Sequence, residues 1–213
     1  MDGEFYPANY ILAILYSYLL ELGKRGGVAR TVATTHMLDE IARHEGQPVW
    51  ETPVGFKYLS QLLLKENVLL AGEESGGASI SGHVPEKDGI LICLLVLKVV
   101  CETKRPLRAL LDDLYDKIGA RYVSTRIDFN ITHEQKEKLV ALIREWQDNT
   151  FCGEDVLSIK RDDGLKIVCD KAWVLLRPSG TEDVVRLYIE AKSDDILDKF
   201  KAGAIRVFGL DAK

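Results

Sequence analysis

A short loop in the C-terminal half of the chain combines groups that can hold a phosphate. Residues 177–182 read Arg-Pro-Ser-Gly-Thr-Glu between two predicted strands, and Arg186 follows on the second strand. A phosphate needs several convergent donors, and the planar guanidinium of Arg177 offers two at once. Gly180 lets the backbone approach a ligand closely. A plain turn between strands, with Arg186 as a solvated surface charge, explains the same residues.

A second polar loop follows a predicted buried strand. It reads Gly-Glu-Glu-Ser-Gly-Gly over residues 72–77. Ligands of open α/β sheets bind at the carboxyl ends of strands, so the position favours a binding loop. On an extended backbone Glu73 and Ser75 point the same way, and a carboxylate with a hydroxyl suits the hydroxyl groups of a sugar. A flexible acidic loop is the alternative interpretation.

Two other polar residues occur in neighbouring segments of the same half. Lys57 ends the segment Pro-Val-Gly-Phe-Lys, and His36 ends Thr-Thr-His, which follows a predicted strand. Each of them alone is more often structural or merely exposed.

Helices and strands alternate in the N-terminal half, which is typical of an α/β layered domain. Helices are predicted over residues 8–23, 37–44, 56–66, 88–103 and 107–117, and strands over 28–34, 48–52 and 68–71, with a loop over 72–82. Thr34 or Thr35 is expected to cap the second helix and Asp88 the fourth.

Near Gly119 the pattern changes to an α+β layout. Strands are predicted over 121–129, 155–161, 165–169, 172–176 and 184–191, and helices over 132–146 and 194–208. Thr132 with Gln135 predicts a capping box, and Asp163–Gly164 predicts a hairpin turn. We therefore expect an α/β layered domain over residues 1–118, with a mixed sheet and flanking helices. A small α+β domain over 119–213, with an antiparallel sheet and two helices, follows it.

Composition limits the class of partner. The 213 residues carry a net charge of −5, and no block of Lys and Arg is present, which argues against nucleic acid or an anionic membrane as partner. The longest apolar stretch, residues 90–97, is too short for a membrane span. The acidic first residues do not resemble a signal peptide.

Four cysteines, at positions 93, 101, 152 and 169, match neither a Cys-x-x-Cys pair nor a zinc pattern. Cys93 and Cys169 lie in apolar runs and are expected to be small core residues. A reduced, cytoplasmic protein is the simplest interpretation.

Five segments taken together resemble the α-D-phosphohexomutase family, to which phosphoglucomutases and phosphomannomutases belong. In chain order they are Thr-Thr-His (34–36), Thr-Pro-Val-Gly-Phe-Lys (52–57), Gly-Glu-Glu-Ser-Gly-Gly (72–77), Gly-His-Val-Pro-Glu-Lys-Asp-Gly (82–89) and Arg-Pro-Ser-Gly-Thr-Glu (177–182). The resemblance extends over essentially the whole chain, and the last segment is the most specific. It implies that this chain corresponds to the third and fourth of the family's four domains.

The resemblance also implies a role for each candidate residue. Glu73 and Ser75 would hold sugar hydroxyls, and Lys57 and His36 would line the cleft. The non-reacting phosphate of the substrate would be held by Arg177, Ser179, Gly180 and Thr181. Arg186, on the following strand, completes the phosphate-binding set.

The family's phosphoserine loop and magnesium loop belong to its first two domains, and neither motif occurs in this sequence. No catalytic or metal-binding residue is therefore predicted on this chain. The acidic pairs Asp162–Asp163 and Asp112–Asp113 are interpreted as a hairpin turn and a solvated helix face. Magnesium and a hexose 1,6-bisphosphate, as intermediate and activator, are implied for the full-length enzyme. The turn pair Asp2–Gly3 has a counterpart just after the family's metal loop, which implies that the chain starts near the end of the second domain.

The expected function is the substrate-binding C-terminal portion of a phosphohexomutase, inactive alone, that interconverts the 1- and 6-phosphates of glucose or mannose. Its expected partners are hexose phosphates and the N-terminal domains of the same enzyme. A stand-alone sugar-phosphate-binding module and one chain of a split mutase are the alternatives. Gly77, where many phosphoglucosamine mutases have His, counts against an amino sugar but leaves it open.

Overall fold

The computed structural model describes residue 3, residues 5–180 and residues 182–210. These residues form two compact units that divide between Ala120 and Arg121. The first unit contains a four-stranded mixed sheet of order β2-β1-β3-β4. Its strands are β1 (Gly27–Thr31), β2 (Val49–Thr52), β3 (Val68–Gly72) and β4 (Ala78–Ile80). The first three are parallel and β4 is antiparallel to β3, so the carboxyl ends of three strands meet at one edge.

Helices cover both faces of this sheet. They are α1 (Ala8–Glu21), α2 (Met37–His44), α3 (Phe56–Lys65), α4 (Gly89–Thr103) and α5 (Leu107–Ile118). Phe56 and Leu59 of α3 pack on Ala29 and Ala71, which lie on one face. α1 and α2 pack against the sheet from the other face, and α4 and α5 pack against α1.

The second unit is built on a six-stranded sheet of order β5-β10-β9-β8-β7-β6. Its strands are β5 (Val123–Asn130), β6 (Thr150–Phe151), β7 (Glu154–Lys160), β8 (Leu165–Cys169), β9 (Ala172–Pro178) and β10 (Val184–Ala191), and every pairing is antiparallel. The helices α6 (His133–Glu145) and α7 (Asp194–Phe208) bury apolar side chains against one face. The predicted fold class, a mixed-sheet α/β domain followed by an antiparallel α+β domain, is confirmed.

Several local predictions are also confirmed. Asp88 caps α4 by accepting hydrogen bonds from the N–H groups of Ile90 and Leu91. Thr132 and Gln135 form the capping box of α6. The turn at 162–164 connects antiparallel strands β7 and β8, as a hairpin requires.

The structure corrects three local predictions. The segment 72–82 is not entirely loop, because β4 pairs with β3 in it, and the two-residue strand β6 was not predicted. The N-cap of α2 is His36 and not a threonine. The hydroxyl of Thr34 lies 2.9 Å from that of Thr31, whereas Thr35 does accept a hydrogen bond from the Met37 N–H at 3.0 Å.

The two cysteine predictions have opposite outcomes. Cys169 is buried, and burial raises the pKa of its thiol to about 11. Cys93 is exposed, so its prediction as a core residue is wrong. α4 buries Ile92 and Val99, while Ile90, Leu94 and Leu97 remain exposed. An apolar sequence therefore did not place the whole helix in the core.

No helix within the described ranges is both long enough and apolar enough to cross a bilayer. The predicted turn at Asp2–Gly3 involves Asp2, which lies outside the described residues.

Candidate functional site

The sugar-site candidates of the first unit follow the carboxyl ends of its parallel strands. His36 comes after β1, Lys57 after β2 and Glu73 directly after β3. Because neighbouring parallel strands end at the same sheet edge, the chain gathers these three segments there. The structure therefore brings the three segments to one edge of the sheet. The side chains of His36, Lys57 and Glu73 each contact different groups there.

Glu73 is buried and faces a backbone donor. Only 5% of its surface is exposed, and its Oε1 accepts a hydrogen bond from the Gly55 N–H at 3.1 Å. Gly55 is the N-cap residue of α3, so the carboxylate lies at the positive end of that helix. Glu73 thereby connects the loop after β3 to the loop after β2.

The backbone after Glu73 is a tight turn and not extended chain. The Gly76 N–H donates to the Glu73 carbonyl at 3.0 Å, and the Glu73 N–H donates to the Gly77 carbonyl at 2.9 Å. The expectation that Glu73 and Ser75 point the same way on extended chain is therefore wrong. Glu73 is turned inward, whereas Ser75 is exposed.

Two buried hydroxyls beside this turn were not predicted as site residues. Thr31 Oγ1 donates to Glu74 Oε2 at 3.4 Å, and it lies 2.9 Å from Thr34 Oγ1. Both threonines are fully buried. Glu74 was visible in the motif, but only the sheet edge brings it next to the end of β1.

Among the described residues, His36 contacts Glu51 and Lys57 contacts Tyr58. His36 Nε2 lies 3.9 Å from Glu51 Oε2, and Lys57 is exposed with its Nζ 4.8 Å from the ring centroid of Tyr58. Glu51 also accepts from the guanidinium of Arg30 at 2.5 Å. The structure thus places His36 at the rim of a buried ion cluster.

Arg30 is the centre of that cluster. Its Nε and Nη2 atoms donate to the two carboxylate oxygens of Asp39 at 2.6 and 2.5 Å. Burial alone lowers the pKa of Arg30, but hydrogen bonds and charges of Asp39 and Glu51 outweigh it, and the pKa is raised. The cluster joins α2, β1 and β2 next to the candidate site.

Residues of the motif segment 82–89 lie next to the turn after Glu73. His83 Nε2 lies 2.9 Å from Asp88 Oδ2, and Lys87 passes over Gly77. A Cβ at position 77 would meet Lys87 Cδ at 3.0 Å and Glu73 Oε2 at 3.3 Å. Glycine at this position therefore allows the stem of Lys87 to lie close to the buried carboxylate.

The phosphate-site candidates of the second unit lie around the β9–β10 connection. The Ser179 N–H donates to the Val184 carbonyl at 2.8 Å, and the Glu182 N–H donates to the Ser179 hydroxyl at 3.2 Å. Ser179 is buried, whereas Gly180 is exposed with open space around its Cα. The Ser179 hydroxyl accepts one bond within the loop and keeps its proton for another acceptor. Thr181 lies outside the described residues.

Arg177 and Arg186 face each other across the β9–β10 pair. They are directly opposed in the register and lie on the face of the sheet away from α6 and α7. Val184 and Tyr188 lie on the same face of β10 as Arg186. Like charges in opposed positions repel each other unless an anion lies between or beside them. Two opposed guanidinium groups beside an exposed glycine can bind a phosphate.

Each of these arginines has a carboxylate partner. Arg177 Nε donates to Asp163 Oδ2 at 2.8 Å, and Arg186 lies 3.6 Å from Asp128 and 3.3 Å from Glu182. A bidentate hydrogen bond from Arg126 lowers the pKa of Asp128. Asp163 and Asp128 lie in the β7–β8 turn and on β5, so sequence spacing could not indicate these two partners.

Lys136 is a further residue that the sequence did not point to. Its Nζ donates to the Glu182 carbonyl at 2.7 Å and lies 3.8 Å from Asp183. The side chain reaches from the first turn of α6 to the phosphate loop and holds its far end.

No group of three or more His, Cys, Asp or Glu side chains that could hold a metal ion occurs in the ranges that the structure describes. The acidic residues near the phosphate loop are paired with arginines instead, so these residues do not fit a magnesium site.

Comparison with known families matches both units. The family model described as phosphoglucomutase/phosphomannomutase, alpha/beta/alpha domain III, matches residues 7–118. The model described as phosphoglucomutase/phosphomannomutase, C-terminal domain, matches residues 129–207.

Individual relatives agree with these matches. The chain is 34% identical over 201 residues to a phosphoglucomutase of Komagataeibacter xylinus, covering 86% of this chain and 36% of the relative. It is 29% identical over 198 residues to a protein of Pyrococcus horikoshii that carries the name "probable phosphoglucosamine mutase", covering 93% and 42%. A crystal structure of a provisionally assigned phosphomannomutase from Thermus thermophilus superposes with a TM-score of 0.80 at 29% identity, covering 96% of this chain and 41% of that one. The chain thus spans about two fifths of the length of these proteins.

Proposed function

Because the chain belongs to the phosphoglucomutase/phosphomannomutase family, we propose that it is the substrate-binding C-terminal portion of an enzyme that interconverts hexose 1- and 6-phosphates. Glucose and mannose phosphates are the proposed substrates. The observation that carries the proposal is the opposed pair Arg177 and Arg186 beside the Ser179–Gly180 turn. This arrangement supplies two guanidinium groups, a hydroxyl proton and exposed backbone to a dianion.

In this function the second unit binds the phosphate that does not react. Arg177 and Arg186 neutralise its charge, and Ser179 donates its hydroxyl proton. Thr181 and Gly180 are proposed to contact the same phosphate. Holding one end of a small substrate converts transfer at the other end into an oriented, effectively intramolecular step. Phosphoryl transfer depends mainly on such positioning and on charge stabilisation.

The first unit would recognise the sugar. Ser75 and Lys57 are exposed and able to contact hydroxyl groups, with His36 at the edge of the same sheet. Glu73 has one carboxylate oxygen on Gly55, which leaves the other oxygen as an acceptor for a sugar hydroxyl. A sugar that must bind in two orientations is best served by few contacts of this kind.

The reacting groups would come from the rest of the enzyme. We propose that a phosphoserine, a magnesium ion and a bisphosphate intermediate take part there, and that the chain alone has no mutase activity. The cytoplasm is the proposed location, and the N-terminal domains of the same enzyme are the proposed protein partner.

The test is binding of glucose 1-phosphate to the chain, followed by NMR, with Arg177→Ala as the main variant. Loss of a bidentate charged contact should weaken binding by about 2–3 kcal/mol. Lys171→Ala is a matched control, since Lys171 is an exposed cation in the turn between β8 and β9 and is paired with Glu154. Equal affinity of wild type and Arg177→Ala would refute the proposed phosphate site.

Substrate class is tested separately on the longer gene product. Mutase assays with glucose, mannose and glucosamine phosphates should show turnover of the first two. Exclusive turnover of glucosamine phosphate would refute the proposed sugar.

A further inference from the structure

The β7–β8 hairpin brings an acidic side chain to the proposed phosphate loop. Asp163 Oδ2 accepts a hydrogen bond from Arg177 Nε at 2.8 Å, and the two side chains are 21% and 23% exposed. Hydrogen bonds between charged partners are short and directional, so this contact fixes the plane of the guanidinium.

The backbone of the β7–β8 turn passes close to the strand that carries Arg177. Gly164 has φ +96°, and a Cβ there would lie 2.1 Å from the Leu176 carbonyl oxygen and 3.1 Å from Arg177 Cα. Glycine tolerates both the left-handed conformation and the close approach. Asp163 is therefore held against the strand that carries Arg177.

Asp163 contacts Arg177 at Nε, so the Nη1–Nη2 edge of the guanidinium faces away from this contact and can meet a ligand. A guanidinium has one N–H on Nε and four on its two Nη atoms, all in one plane. Asp163 accepts from Nε, and no acceptor among the described residues meets the Nη atoms of Arg177. The Nη1–Nη2 edge can hold two oxygens of a phosphate in parallel.

We propose that Asp163 is a positioning residue for phosphate recognition, which fixes Arg177 through Nε so that its Nη edge serves the phosphate. The inference rests on the proposed function of the loop. Simple competition makes the opposite prediction, because a carboxylate that only competes for Arg177 weakens anion binding. The two explanations therefore differ in the sign of the effect when Asp163 is removed.

The experiment is a titration of the full 213-residue chain with glucose 1-phosphate, followed at the backbone amides of Ser179 and Gly180 by NMR. Asp163→Ala removes both acceptor and charge, whereas Asp163→Asn removes the charge and keeps an acceptor oxygen. We expect Asp163→Ala to raise the Kd about fivefold to tenfold through loss of orientation. Asp163→Asn should stay within about twofold of wild type, because its oxygen still accepts from Nε. Asp163→Glu should recover part of the affinity.

Asp162→Ala is the matched control, since Asp162 is an exposed acid of the same turn. It should leave the Kd unchanged. The Nε–H resonance of Arg177 should shift in Asp163→Ala and stay near its wild-type position in Asp163→Asn, a readout that general loss of stability does not mimic.

Two results would overturn the positioning role. One is a Kd for Asp163→Ala equal to or below that of wild type, and the other is equal weakening in Asp163→Asn and Asp163→Ala. Arg177→Ala separates this inference from the proposed function. If Arg177→Ala loses binding and Asp163→Ala does not, only the positioning role fails. If Arg177→Ala binds glucose 1-phosphate as tightly as wild type, or if the wild-type chain shows no shift at this loop during the titration, the phosphate-binding function itself fails.

Discussion

Glu73 combines a structural contact with a proposed binding role, and two substitutions separate them. Glu73→Ala leaves the partly buried Gly55 N–H without its carboxylate acceptor, which should destabilise the first unit by about 1 kcal/mol. Glu73→Gln keeps an oxygen for Gly55, so its stability should stay near that of wild type while sugar-phosphate binding weakens. Urea unfolding and titration with glucose 1-phosphate measure the two effects. Equal destabilisation by both substitutions would show that the charge of Glu73 is structural.

Asp128 makes the stability of the second unit depend on pH. Hydrogen bonding by Arg126, followed by the charges of Arg126 and Arg186, lowers the pKa of this carboxyl in the folded state. A lowered folded pKa adds stability above the unfolded value of about 3.9, and that stability is lost as the pH falls through the folded pKa.

Comparison with Asp128→Asn tests this. The variant should be less stable than wild type at pH 7, and the difference should shrink below about pH 4. Thermal unfolding of both proteins from pH 7 to pH 3 measures it. A difference that is independent of pH would contradict the assignment to this ion pair.

At the scale of elements, the N-terminal cap of α6 determines the position of Lys136. The Thr132 hydroxyl accepts from the Gln135 N–H at 3.2 Å, and the Gln135 side chain accepts from the Thr132 N–H at 2.8 Å. Lys136 follows in the same turn and contacts the Glu182 carbonyl. The helix cap thus sets the position of a residue that supports the phosphate loop.

Thr132→Ala removes this cap, and should cost about 1 kcal/mol of stability. Thr132→Ser keeps a hydroxyl and should restore most of it. Chemical denaturation of the two variants gives the stabilities, and NMR of the Glu182–Val184 amides reports on the loop. If serine and alanine behave alike, the hydroxyl does not cap the helix.

At the scale of the molecule, each unit has a core of its own. Leu187, Phe200 and Val174 belong to the second core, while Leu59 and Phe56 belong to the cluster under α3 in the first. A compact unit with its own core is expected to gain or lose stability as a unit.

We therefore expect Leu187→Ala to destabilise the second unit by about 2–5 kcal/mol and Leu59→Ala to do the same to the first. Amide hydrogen exchange resolves the two units along the chain. Each substitution should speed exchange mainly in its own unit. Uniform acceleration throughout the chain would show that the two units unfold as one.

The sequence by itself determined the fold class of both units, the positions of the two polar loops and the order of all elements except the short strands β4 and β6. Those features depend on local signals, such as the alternation of apolar residues, the Asp88 and Thr132 caps and the turn at Asp163–Gly164. These signals can be recognised in the sequence because helix capping and turn formation involve residues only a few positions apart.

Only the tertiary structure decided what the side chains of these loops contact. Glu73 turned inward to Gly55, Cys93 faced outward from an apolar helix, and Asp163 became the partner of Arg177. Each of these outcomes depends on residues that are distant along the chain and adjacent across a sheet or a helix face. Burial and pairing of a side chain depend on residues that are near it in three dimensions. The periodicity of the sequence does not indicate which distant residues these are.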